Sequence, residues 1–223
     1  LVWGNPDHPL RRLAHKELPG LIGFSRAMVE EGLNVVAYLC RRESLEKRLR
    51  GEFGDPSMLD RWIRKPELGH DVKAIPRGPV LHITAGNVFV GAVDSLISGM
   101  LTKNANILKM SRVDPLFPAL FMDSLREADP EGWVWPHQAV VEWKGGDETI
   151  EKALLGKDLT IVFWGGREAL KSVRARAGLD ARLVENGPRY SFAVVDAKTL
   201  ADFPGDDAFR GLALDLCRWD QQA

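Results

Sequence analysis

The sequence predicts an α/β fold, a parallel sheet with helices on both faces, preceded by a helical N-terminal region. Three observations carry this reading. From Pro79 onward, short apolar runs alternate with stretches of helical periodicity, and strand and helix in turn build βαβ units with parallel strands. The earlier residues carry apolar positions at helical spacing. A passage marked by Pro66, Pro76, Gly78 and Pro79 separates the two textures.

In the first texture, Leu21, Ile22, Phe24, Met28, Val29, Leu33, Val36 and Leu39 recur at helical intervals, and Leu45 and Leu49 lie one turn apart in a charged stretch. Residues 1–73 are therefore expected to be a helical region and 74–223 the sheet domain. In the second texture, strands are expected near 80–84, 106–110, 139–143, 159–164 and 192–195. Helices are expected near 90–101, 116–127, 149–155, 167–177 and 207–219. Continuous apolar strands between helical stretches imply burial on both faces.

A chain of 223 residues with 45% hydrophobic content buries enough for one large domain, or one domain plus an appendage. Thirty basic residues against 31 acidic ones leave no field that attracts nucleic acid or an anionic membrane, so any anion site is local. No apolar run approaches a membrane span and no signal-peptide pattern opens the chain, which makes a cytoplasmic location the default expectation. Cys40 and Cys217 lie too far apart in sequence for a metal knuckle or a disulfide framework, and two buried thiols are expected. No metal site is expected either, because His82 has no second ligand at a suitable spacing. The chain opens on Leu1 without a Met and stops after Asp220, Gln221 and Gln222, so it reads as a fragment.

In open parallel sheets ligands sit beyond the carboxyl ends of the strands. The residues there are Ala85-Gly86-Asn87, Ser111-Arg112, Lys144-Gly145-Gly146 and Gly165-Gly166. GxGxxG, GxxxxGK, GxSxG and HExxH motifs do not occur. Gly165-Gly166 follows Thr160-Ile161-Val162-Phe163-Trp164 and opens a helix, where bare backbone brings N–H groups close to a diphosphate. Read alone, it is more often an ordinary tight turn. Lys109 ends a strand where an apolar residue is expected, and its desolvation is costly unless the head reaches water or an anion. With Ser111 and Arg112 it offers an ammonium, a hydroxyl and a guanidinium to a ribose and its 2′-phosphate. The alternative is a snorkelling lysine and a solvated arginine. Asn87 is either an oxyanion donor or a helix cap. Glu185, before Asn186-Gly187-Pro188, is a general base if it faces the crevice and a solvated acid if it faces out. The tryptophans of the second half, Trp133, Trp135, Trp143, Trp164 and Trp219, alternate with apolar residues, and core packing explains them most simply.

Taken in order, these pieces resemble the aldehyde dehydrogenase superfamily. Gly78-Pro79-Val80-Leu81-His82-Ile83-Thr84-Ala85-Gly86-Asn87 resembles the strand ending in its oxyanion-hole asparagine, and Asn104 through Ser111 resembles its GN-x-V-x-x-K-x-S segment. Phe163-Trp164-Gly165-Gly166 is similar to its Phe-Thr-Gly-Ser turn, and Glu185-Asn186-Gly187-Pro188-Arg189 to its Glu-Leu-Gly-Gly-Lys segment. Within the superfamily the chain most resembles the LuxC-type acyl-CoA reductases, through the His-Ile-x-x-x-Asn strand and Trp219-Asp220-Gln221-Gln222-Ala223. In that family the latter run continues into a nucleophilic cysteine. The motifs cover roughly 75–223, and 1–73 matches loosely.

The resemblance implies a Rossmann-like dinucleotide-binding domain of the aldehyde dehydrogenase type. Asn87 and Glu185 are its catalytic residues, and Thr84, Lys109, Ser111, Arg112, Trp164, Gly165 and Gly166 its cofactor contacts. Arg112 stands where NAD-preferring relatives carry glutamate, which implies NADPH. Gly86 replaces a bulky aromatic and Gly166 a serine. The implied reaction reduces an acyl-CoA, or an acyl thioester on a carrier, to the aldehyde through a cysteine acyl-enzyme, and this stretch alone is expected to be inactive. A homo-oligomer or a complex with acyl-transfer proteins is compatible with it. Two rivals remain at this level: an oxidising aldehyde dehydrogenase, and a non-catalytic nucleotide-binding module that kept the fold.

Overall fold

The computed structural model describes residues 2–86, 88–187, 192, 194–196, 198, 202 and 206–221. Helices α1 (Pro9–Ile22), α2 (Arg26–Leu39) and α3 (Arg42–Phe53) open the chain. Two of them start on side-chain caps: His8 accepts from the Leu10 N–H, and Ser25 from that of Met28. A small antiparallel hairpin of β1 (Ile63–Lys65) and β2 (His70–Val72) comes next, which the reading of the sequence does not anticipate. Its turn begins at Pro66 and closes at Gly69, whose φ of 71° suits glycine.

The main sheet contains β3 (Val80–Ile83), β4 (Asn106–Lys109), β5 (Gln138–Val141), β6 (Thr160–Trp164) and β7 (Arg182–Asn186). All pairs are parallel and the order is β5-β4-β3-β6-β7. The chain therefore steps outward from β3 to β5 on one side, then crosses to β6 and β7 on the other. The strand order reverses between β3 and β6, where open α/β sheets form their ligand crevice.

Helices α4 (Phe89–Leu101) and α5 (Phe117–Ala128) cover one face, and α6 (Glu148–Leu155) and α7 (Arg167–Arg176) cover the other. Alternation along the strands sorts the core accordingly. Leu108 turns to the α4/α5 side, whereas Leu81, Ile161 and Phe163 turn to the α6/α7 side. The α4/α5 core is continuous with the N-terminal helices: Leu18, Val29, Leu33 and Val36 pack in the same cluster as Phe89, Leu96 and Phe117. Burying a side chain of this size contributes about 1.5–3 kcal/mol. Thus α1 and α2 form a further layer on α4 and α5.

The fold class expected from the sequence is present, with two corrections. Among the described residues the last strand is Arg182–Asn186, and Phe192, Val194 and Val195 carry no strand. β7 is an edge strand with one half-covered face, so Leu183 packs against the α6/α7 cluster while Arg182 and Val184 stay exposed. The more apolar positions Phe192, Val194 and Val195 lie outside the sheet, with Phe192 88% exposed. The expectation of two buried thiols also fails: Cys40 is half-buried, but Cys217 is exposed. It closes helix α8 (Asp206–Cys217), which passes into a single 3-10 turn at Arg218–Gln221.

Among the described residues no helix is long and apolar enough to cross a membrane. No group of three or more His, Cys, Asp or Glu there could hold a metal ion.

Candidate functional site

Parallel strands gather their carboxyl ends on one edge of the sheet, and the expected site residues come directly after those ends. Thr84 follows β3, Ser111 and Arg112 follow β4, and Gly165 and Gly166 follow β6. Asn87 lies outside the described residues; Gly86 and Val88 flank it at the start of α4.

Gly86 is pressed against the neighbouring strand end. A Cβ there would lie 2.0 Å from Ser111 Oγ and 2.9 Å from Val113 Cβ. Only a bare backbone fits, so the glycine brings the chain after β3 and the Ser111–Val113 turn together. Ser111 Oγ also accepts from the Val113 N–H at 3.2 Å, which tightens the second turn. Arg112 is exposed and makes no ion pair among the described residues.

Gly166 is the N-cap of α7, with no side-chain cap and no atom within 4 Å of a Cβ built on it. The first-turn amides of α7 are thus uncovered at the crossover point. Trp164, just before, is 42% exposed.

Lys109, Ile83, Phe163 and Glu185 stand in register across four strands, so their side chains share the α6/α7 face. The Lys109 ammonium sits over the Trp143 ring, 5.1 Å from its centroid. Burial holds its pKa below the usual lysine range, while Glu151 and Glu142 pull it upward. Glu185 lies on the far side of that row, three strand spacings or about 14 Å from Lys109. Its carboxylate is paired with Arg174 of α7. The structure therefore collects Ser111 with Gly86 and Lys109 with Trp143, and it keeps Lys109 and Glu185 apart.

Three residues at this edge escape the reading of the sequence. Glu151, 6% exposed on α6, accepts the Gly146 N–H at 2.9 Å and the Trp143 indole N–H at 3.4 Å, and pairs with Arg176. It fixes the ring beneath Lys109. Trp143 is buried as expected of a core residue, but its ring also carries the lysine. Asp114, 3% exposed, accepts the Leu116 and Phe117 N–H groups through Oδ1, while Oδ2 has no partner among the described residues. Burial raises its pKa, opposed by those two hydrogen bonds. Only its place before Pro115 and a helical run signals a capping role. His82 is structural, as expected: buried, and bonded to Ser95 and Asn106.

A parallel sheet of this order, with glycine turns on its carboxyl edge, defines a Rossmann-like α/β domain. Solved structures place it among aldehyde dehydrogenase folds. An NAD-dependent benzaldehyde dehydrogenase from Corynebacterium glutamicum superposes with a TM-score of 0.57 at 16% identity, covering 78% of this chain and 36% of that one. A glyceraldehyde-3-phosphate dehydrogenase from Methanocaldococcus jannaschii complexed with NADP gives 0.55 at 15%, covering 82% and 39%. The family model described as acyl-CoA reductase (LuxC) matches residues 2–223, and the chain belongs to that family. The long-chain acyl-protein thioester reductase of Photorhabdus luminescens is 30% identical over 225 residues, 99% of this chain and 45% of that protein. The chain thus spans about half the length of the curated relatives it matches.

Proposed function

We propose that this chain is the nucleotide-binding part of a reductase that converts an acyl thioester, on coenzyme A or a carrier protein, to the aldehyde with NADPH. Residues 1–73 form its helical N-terminal region and 74–223 its dinucleotide-binding domain. The observation that carries the reading is the family match along 2–223 on a sheet whose crossover edge holds Ser111, Arg112 and the open helix start at Gly166.

The groups at that edge fit a phosphorylated dinucleotide. The uncapped amides of α7 suit a diphosphate, and the exposed Arg112 guanidinium suits a 2′-phosphate, with Ser111 and Lys109 beside it for the ribose. Thr84 and Trp164 border the same edge. When bound, NADPH supplies the hydride. Asn87 donates to the oxygen of the acyl carbon as it becomes an oxyanion. A cysteine beyond Ala223, as the resemblance implies, forms the new acyl–sulfur bond while the bond to the carrier breaks. The carrier leaves as a thiolate that takes a proton. Hydride addition to the acyl carbon and cleavage of the enzyme's carbon–sulfur bond then release the aldehyde and the thiolate. Glu185 assists the proton movements once it is released from Arg174. Partners of the whole protein are further copies of itself or acyl-transfer proteins.

Titration of the protein with NADPH and with NADH, followed by nucleotide fluorescence, tests the cofactor assignment. NADPH is expected to bind at least tenfold more tightly, and Arg112→Glu to reverse the preference. Equal affinities unaffected by that substitution would remove it.

A further inference from the structure

Residue 86 is a glycine for reasons of space. Its φ lies outside the left-handed region, so its backbone conformation alone would admit a side chain. What forbids one is the turn after β4. A Cβ at 86 would lie 2.0 Å from Ser111 Oγ, 2.6 Å from Ser111 Cβ and 2.9 Å from Val113 Cβ. The hydroxyl could rotate away, but the two Cβ atoms are fixed to the backbone, so the turn itself would have to move. Carbon contacts are ordinarily at about 3.5–4.0 Å, which makes that displacement roughly 1 Å. Gly166, at the same edge of the sheet, has open space around its Cβ position and carries no such constraint.

The turn is tied down on its other sides as well. The Met110 N–H donates to the Val141 carbonyl at 2.8 Å, which carries the pairing with β5 to the residue before Ser111. The Val113 N–H donates to Ser111 Oγ at 3.2 Å, leaving the hydroxyl hydrogen to donate elsewhere. Buried Asp114 accepts the Leu116 and Phe117 N–H groups at 3.3 and 2.9 Å and fastens the far end of the turn to the start of α5. Residues 110, 111, 113 and 114 are thus each held by a contact, and between them Arg112 carries the one cation of the turn on an exposed side chain. A guanidinium reads phosphate through a planar fork, and the aim of that fork depends on the backbone beneath it.

We propose that Gly86 is a specificity-determining residue that acts through Arg112: by admitting the Ser111–Asp114 turn against the chain after β3, it sets the guanidinium where the 2′-phosphate of a phosphorylated dinucleotide is read. The inference rests on the proposed function, which supplies the nucleotide. Gly86 is a positioning residue and touches no phosphate itself. An alanine at 86 shifts the turn and spoils the two-point contact of the fork with phosphate. The first-turn amides of α7 stay in place, because they belong to the separate β6–α7 connection and serve the diphosphate that both nucleotides share. The phosphorylated nucleotide therefore loses a charge-assisted contact, and its unphosphorylated counterpart loses at most the weaker neutral bond from Ser111 to the ribose.

Fluorescence titrations of the protein with NADPH and with NADH test this, with circular dichroism to show that each variant is folded. Gly86→Ala should weaken NADPH binding about tenfold, the scale of one hydrogen bond to a charged group, and NADH binding by no more than about threefold. In the Arg112→Ala protein the same change at Gly86 should leave the ratio of the two affinities unaltered, because the residue it acts through is gone. Ser111→Gly clears the two closest contacts, so on that background Gly86→Ala should cost NADPH no more than about threefold, and this pair decides the matter if Gly86→Ala alone does not fold. Equal losses of both nucleotides, or a ratio that still changes without Arg112, overturn the positioning role. If the unsubstituted protein binds neither nucleotide, the function reading fails and the inference falls with it. Binding of both with a preference indifferent to Gly86 sinks the inference alone.

Discussion

His82 Nε2 donates to Asn106 Oδ1 at 2.9 Å across the two central strands, and Ser95 Oγ lies 2.8 Å from His82 Nδ1. Because Asn106 Oδ1 only accepts, the ring carries its proton on Nε2 and Ser95 donates to Nδ1. Asn106 in turn donates to Asn104 O and Gln138 Oε1, so a neutral imidazole completes a satisfied network. Burial lowers the His82 pKa below its ordinary 6.5, with the Asn106 bond opposing. In the window below 6.5 the unfolded chain binds a proton that the native state refuses, so stability falls as the pH drops. Urea unfolding from about pH 7.5 downward should show that loss, and His82→Gln should flatten it. His82→Ala, which leaves Asn106 Oδ1 unpaired in the core, should cost about 1–3 kcal/mol at neutral pH.

Asp114 gives the opposite sign. Its folded pKa is raised above the ordinary 3.8, chiefly by burial, so between those two values the native state holds the extra proton. Stability from this group therefore grows as the pH falls through its folded pKa toward 3.8. Asp114→Asn keeps an oxygen for the Leu116 and Phe117 amides and removes the buried charge. The variant should be at least as stable as the wild type at neutral pH, and the difference should shrink on acidification. A variant less stable there by more than about 1 kcal/mol would mean that the capping charge outweighs its desolvation.

The sheet is legible in the sequence because β3, β4 and β6 are buried on both faces and write themselves as apolar runs. β7 is not, because an edge strand needs only one apolar position in two, and Arg182, Glu185 and Asn186 hide it. The positions of Ser111, Gly165 and Gly166 follow from the strand ends alone. The Lys109–Trp143–Glu151 stack does not, because its members come from a strand, the loop after the next strand and a helix.

Two helical glycines should respond to alanine in opposite directions. On α2, a Cβ at Gly32 meets the Phe89 ring at 2.3 Å, and Phe89 is 1% exposed, with no room to retreat. Overpacking of this kind costs about 1–3 kcal/mol, so Gly32→Ala should lower the thermal midpoint by several degrees. Gly51 lies in α3 with no atom within 4 Å of its Cβ position. Gly51→Ala should instead stabilise by about 0.5–1 kcal/mol through the unfolded chain's lost freedom. Thermal melts of the two variants beside the wild type check both signs.

Lys109 separates a binding role from a structural one. Its ammonium is partly desolvated over Trp143 and its pKa is lowered by that burial, so the native fold gains little from the charge itself. If the ammonium is kept for an anionic ligand, Lys109→Met should hold stability within about 1 kcal/mol, since the methionine covers the same indole face with a similar volume. NADPH affinity should fall at least tenfold, with a weaker salt dependence because one cation is gone. Glu151→Ala reaches the same end by another route, releasing the Trp143 indole and the Gly146 amide; its cost should be about 1–3 kcal/mol for the groups left unpaired. A Lys109→Met protein that binds NADPH normally but melts far earlier would show that the lysine belongs to the packing of the α6/α7 face and not to the nucleotide.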